Sequence, residues 1–103
     1  MPVPGNWKPV TFIDLIMPLQ IDFQSAVDKT KTFSRRPDNQ ELLDLYGLFK
    51  QATDGDVSGE RPGGFDFKAI AKFDAWEKQK GKSKDEAMTD YVAFVNKLAE
   101  SYQ

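Results

Sequence analysis

Apolar positions along most of this chain recur with the spacing of helices. Phe23, Ala26, Val27 and Phe33 fall on one face of a first helix expected over residues 22–33, with Asp22 as its N-cap. The basic run Lys29, Lys31, Arg35 and Arg36 sits at its end, where cations complement the helix dipole, and Pro37 breaks it. Asp38, followed three residues later by Glu41, predicts a capping box opening a second helix. Leu42, Leu45, Tyr46 and Phe49 then repeat at i, i+3, i+4 and i+7, and the helix fades near Thr53. A glycine-rich loop with Pro62 follows over residues 54–65, long for a small helical domain and therefore a hint of function. Asp66 caps a third helix to about Lys80, with Ile70, Phe73 and Trp76 inward, Phe65 stapled against Ile70 and Gly81 as the stop. Ser83 and Glu86 form a further capping box. The last helix carries Ala87, Tyr91, Val95, Leu98 and Tyr102 on one stripe.

No alternating pattern appears in residues 20–103, so the fold class is all-α, a domain of four helices. Residues 1–19 differ: they hold Pro2, Pro4, Pro9 and Pro18, few charges, and the apolar run Val10–Leu19. They read as an N-terminal extension, partly apolar, attached to the domain at 20–103.

At 103 residues the chain has room for one core. Its 14 basic and 16 acidic side chains give a net charge of −2, which argues against a general nucleic-acid partner. With no Cys and no His, the sequence excludes disulfides, thiol nucleophiles, zinc fingers and imidazole chemistry. The run Val10–Leu19 is too short to span a bilayer and carries Asp14 and Pro18. It is also a poor secretory signal, and arginine is absent before Arg35, unlike in a mitochondrial transit peptide. Asn6, Asn39 and Asn96 all lack the downstream Ser or Thr of a glycosylation site. The expectation is a cytoplasmic protein.

The candidate chemistry is sparse. Asp54-Gly55-Asp56-Val57-Ser58-Gly59 opens like a calcium loop, but Phe65 stands where the bidentate Glu belongs, so a polar turn-rich loop is the simpler reading. The glycines form no phosphate-binding GxxxxGK[ST] run. Most carboxylates sit in caps or on polar faces, and no nucleophile has a base beside it, so no enzyme is expected and no metal or cofactor is called for. Tyr46, Phe49 and Lys50 share a face of the second helix. Such a group is usually a core edge with a snorkelling lysine, but it could also stack a base and hold its phosphate. Lys72 on the third helix and Lys29 and Lys31 on the first add cations that spacing alone does not bring together.

The run Tyr46-Gly-Leu-Phe49-Lys50-Gln51-Ala52-Thr53-Asp-Gly55-Asp56 resembles the acyl-CoA-binding protein (diazepam-binding inhibitor) family. Glu60-Arg61-Pro62-Gly63, Asp66-Phe67-Lys68, Ala71-Lys72-Phe73-Asp74-Ala75-Trp76, Lys80-Gly81-Lys-Ser83-Lys84 and Ala87-Met88-Thr-Asp-Tyr91 continue the likeness, which covers about residues 20–102. The resemblance implies an up-down-down-up four-helix bundle that binds long-chain fatty acyl-CoA noncovalently, protects it, carries it inside the cell and catalyses nothing. It places Tyr46, Lys50 and Lys72 at the ribose 3′-phosphate, Tyr91 near the nucleotide and Lys31 at the ligand's rim. Phe49 stands where many relatives have a tyrosine flanking adenine, so stacking survives and the hydroxyl's hydrogen bond does not. Ala26 and Val27 match small residues near the ligand, Lys68 is a further contact, and Phe73 replaces a common tryptophan. The implied partners are acyl-CoA, with transient membrane or acyl-CoA-using enzyme contacts. A monomer is expected, with dimerisation through the extension as an alternative.

For a net-acidic protein, attraction to CoA phosphates must be local, with Lys31, Lys50 and Lys72 meeting at one end. Burial of a sixteen-carbon tail offers up to about 12 kcal/mol at ~0.8 per methylene, before ordering costs. The competing class is a protein-interaction module that docks a partner chain on an exposed face. For the extension, residues 10–19 are expected to pack near the acyl groove or to pair with a neighbouring molecule, because so apolar a run makes a poor solvated tail.

Overall fold

The computed structural model describes residues 12–102, with side chains from residue 18 onward. Four helices account for them: α1 (Phe12–Thr30), α2 (Asn39–Asp54), α3 (Phe67–Glu77) and α4 (Lys84–Tyr102). No strand occurs among the described residues. Of residues 10–19, only Pro18, exposed, and Leu19, half-buried, have described side chains, so the expected packing or pairing of the rest lies outside the described residues.

Contacts between the helices fix their directions. Phe23 meets Tyr91 and Phe33 meets Tyr102, so α1 and α4 run parallel. Tyr102 donates to Glu41 while Gln51 reaches Lys82, so α2 is antiparallel to α4. Lys72 lies over Tyr46 and Lys50 over Trp76, an equal step on both helices, so α3 runs parallel to α2. The result is an up-down-down-up bundle. α1 packs on α4, α4 on α2, and α2 on α3.

The stripe on α4 is the spine of the core. Ala87, Tyr91, Val95 and Leu98 are buried against Leu45, Leu48 and Ala52 of α2 and Phe23 and Ala26 of α1. α3 has no fully buried residue and depends on α2 for its place. That contact is close: a Cβ at Gly47 would overlap the carbonyl oxygen of Ala75, so only glycine fits.

The Asp38–Glu41 capping box is present in both directions, at 2.8 and 3.0 Å. Ser83 Oγ accepts from the Glu86 amide, and Asp66 from the Ala69 amide. Three expectations fail. Asp22 is not an N-cap, because α1 begins ten residues earlier and passes through Pro18. Proline lacks the amide hydrogen that would donate one turn back, yet the helix runs on to Thr30. Phe65 does not staple Ile70: it is 92% exposed and packs edge-on against Phe67 at 6.3 Å. Finally, α1 and α3 end sooner than their periodicity suggests. Lys31 and Thr32 donate three residues back, as do Gln79, Lys80 and Lys82, so each helix closes in tightened turns.

The loop after α2 is firmly tied. Gln51, fully buried, donates through Nε2 to Asp56 Oδ1 and to the Lys82 carbonyl. Asp56 Oδ1 also accepts from the Gly81 amide. Arg61 grips Asp74 with two parallel bonds of 2.8 and 2.9 Å, and Trp76 Nε1 donates to the Gly55 carbonyl. The loop aspartates therefore serve as hydrogen-bond and ion-pair acceptors.

Candidate functional site

Because α1 packs mainly on α4, a cleft of about 520 Å³ opens between α2 and the end of α1 with the segment that follows it. Phe33, Leu42, Leu45, Tyr46 and Phe49 line it, Tyr91 supplies its floor from α4, and Arg35 and Arg36 stand at its rim. Phe49 lies 5.9 Å from Phe23 and 6.4 Å from Tyr91, which closes one end with aromatic rings. Tyr91 is buried, which pushes its hydroxyl pKa above the usual tyrosine value despite an opposing hydrogen bond with Thr30. Its phenol thus remains a neutral hydrogen-bonding group.

A second cleft, of about 590 Å³, lies between the N-terminal halves of α2 and α3. Leu42, Leu43 and Ala71 give it an apolar lining, and Arg36, Lys68 and Lys72 ring it with positive charge. No carboxylate lines it. Tyr46, like Leu42 and Arg36, lines both clefts, and the Lys72 ammonium stands 4.9 Å above its ring.

Of the residues singled out from sequence, Tyr46, Phe49 and Tyr91 meet in the first cleft, and Tyr46, Lys68 and Lys72 in the second. Phe49 keeps 36% of its surface exposed, enough to offer a ring edge to a ligand. Lys50 lines neither cleft: it is ion-paired with Asp54, which raises its pKa, and lies 4.9 Å over Trp76. The three lysines do not meet at one point, since Lys31 is exposed beside Asp28 at the end of α1. Ala26 is buried in the core and Val27 is half-buried against it.

Sequence reasoning missed Arg35, Arg36 and Leu43. The two arginines lie beyond the end of α1, so they do not serve its dipole. Arg36 bonds Asn39 and enters both clefts, and Arg35 packs over Tyr102. A basic pair just before Pro37 and an N-cap was the available signal, since it places both cations at a helix entrance.

Fold and site together define a small helical ligand-binding domain: paired clefts, one aromatic and one apolar, each rimmed with cations. Residues 20–95 match the family model described as acyl CoA binding protein. The chain is 49% identical over 85 residues to an acyl-CoA-binding protein of Brassica napus, covering 82% of this chain and 92% of that one. It is 46% identical over 80 residues to an acyl-CoA-binding protein homologue of Drosophila melanogaster, covering 78% and 93%. The crystal structure of Oryza sativa acyl-CoA-binding protein 2 is similar with a TM-score of 0.77 at 47% identity, over 81% of this chain and 92% of that chain. That of the Moniliophthora perniciosa protein gives a TM-score of 0.71 at 38% identity, over 79% and 83%. The chain belongs to the acyl-CoA-binding protein family.

Proposed function

We propose that this chain binds long-chain fatty acyl-CoA noncovalently across the two clefts, shields the chain and thioester from water, and carries the ester through the cytoplasm without transforming it. The observation that carries this reading is the division at Tyr46. Tyr46 lines both a cleft of aromatic side chains and guanidinium groups and an apolar cleft with a cationic rim. A nucleotide joined to a hydrocarbon chain needs both.

In this reading adenine lies in the first cleft against Phe49, with Tyr91 near the nucleotide. The ribose 3′-phosphate takes the Tyr46 hydroxyl and the Lys72 ammonium, and Lys50 reaches it by releasing Asp54. Each charge-assisted phosphate bond contributes on the order of 1.5–3 kcal/mol. The acyl chain runs over Leu42, Leu43 and Ala71, and the stem of Lys68 covers part of it. Ala26 and Val27 shape the adjoining wall from inside the core, and Lys31 acts at long range from the rim. The family's activity is binding, so no residue is given a catalytic role.

A thermal-unfolding series tests this directly. Palmitoyl-CoA should raise the melting temperature strongly and free CoA only slightly, since a ligand that binds the folded state alone stabilises it by mass action. No rise with palmitoyl-CoA would contradict the proposal.

A further inference from the structure

Phe65 and Phe67 are the most exposed large apolar residues described, at 92% and 69%, and they lie against each other with ring centroids 6.3 Å apart. A soluble protein has little reason to display two touching phenylalanines at a loop tip unless something apolar receives them. Their position is specific. Phe67 opens α3 one turn before Ala71, a lining residue of the second cleft, so the two share a helix face. Lys68 and Lys72 are the next residues of that same edge. Because Tyr46 is level with Lys72 and α2 runs parallel to α3, the ring pair stands beside the helix N-termini, at the end of the cleft remote from Tyr46. Two nearby carboxylates have partners within the fold. Asp66 accepts from the Ala69 amide, and Asp74 neutralises Arg61. The cations along this cleft are Arg36, Lys68 and Lys72; the carboxylates beside the rings are Asp66 itself, which caps α3, and the exposed Glu60 farther along the loop.

We infer that Phe65 and Phe67 are a membrane-docking tip: the rings enter the interfacial region of an anionic bilayer while Lys68 and Arg36 meet its phosphates. Bare rings flanked by cations match a lipid surface, which presents phosphate first and hydrocarbon beneath. The tip protrudes, so it does not offer the shaped pocket into which a protein partner would seat an anchor. The inference rests on the reading of the second cleft as the seat of the acyl chain. Docked in this way, the cleft mouth faces the bilayer, and a chain can pass between lipid and protein without crossing water.

Vesicle flotation of the full chain tests this, using phosphatidylcholine vesicles with and without phosphatidylserine. The comparison is with the double variant Phe65→Ser, Phe67→Ser and with Lys68→Gln. Both rings are already in water, so the double variant should fold, and its melting temperature should match that of the parent. The parent should float with the phosphatidylserine vesicles. The double variant should lose roughly tenfold or more of that binding, and Lys68→Gln should lose a smaller part that salt also removes. Palmitoyl-CoA titration of the double variant in lipid-free buffer separates the two proposals, because that variant should bind normally there. Failure of the parent to float, or equal flotation by the double variant, overturns the docking tip and leaves a protein partner as the remaining use for the rings. Loss of lipid-free palmitoyl-CoA binding in the double variant also overturns it, by making the rings part of the ligand site itself.

Discussion

At the scale of single residues, the cations of this site are held in different ways, and the difference predicts their behaviour. Lys72 stands over the Tyr46 ring with no carboxylate partner described, so its charge is available to a phosphate. Lys72→Ala should weaken palmitoyl-CoA binding by about 1.5–3 kcal/mol in a titration, with little change in melting temperature. Lys50 is instead held by Asp54, whose carboxyl pKa is lowered by that pairing. A ligand phosphate that recruits Lys50 must compete with this internal anion. Asp54→Asn should therefore tighten palmitoyl-CoA binding by a few-fold; weaker binding would mean that Asp54 positions Lys50 for the ligand. Phe49 lies between the two roles, stacked on Phe23 yet partly exposed. Phe49→Tyr should be accommodated there, since a hydroxyl can extend toward solvent from the exposed edge.

At the scale of helices, Gly47 sets the spacing on which the second cleft depends. Gly47→Ala places a methyl against the Ala75 carbonyl, should destabilise the protein by about 1–3 kcal/mol, and should weaken long-chain binding by separating α2 from α3. Thermal unfolding and titration of that variant check both effects. Much of the helical architecture was legible in the chain. Asp38 and Glu41 lie three positions apart in sequence and make a local motif, and the α4 stripe from Ala87 to Leu98 is a local period. The start of α1 was not legible, because Pro18 and Asp22 both carry strong local signals for a helix boundary that the continuing helix overrides. Nor was the pairing of the clefts. Tyr46 and Lys72 lie 26 positions apart, and only the parallel packing of α2 and α3 brings them to 4.9 Å. The family resemblance implied that Lys50 and Lys72 share one phosphate, whereas Lys50 is turned toward Asp54.

At the scale of the whole molecule, the loop between α2 and α3 acts as a clasp whose strength depends on carboxylates. Asp56 has its pKa lowered chiefly by the Gly81 amide and then by Gln51, and Asp74 has its own lowered by Arg61. A lowered carboxyl pKa contributes stability that is fully present above the ordinary carboxylate range and is lost as pH falls through the folded value. Melting temperature should therefore be flat near neutrality and fall on the acid side, below a pH of about 4. Asp56→Asn should melt lower than the parent at neutral pH, and the gap should narrow as the solution is acidified. The bundle thus anchors its loops through Gln51, Asp56 and Arg61 on one side and leaves the two clefts open on the other. The central claim is that those clefts divide the ligand between them, head group in one and hydrocarbon in the other. Calorimetric titration with a series of saturated acyl-CoA esters, from free CoA to long chains, tests it most directly. Affinity should climb steadily with chain length and level off once the second cleft is filled, with free CoA far weaker. Equal affinity along the series, or tight binding of free CoA, would contradict it.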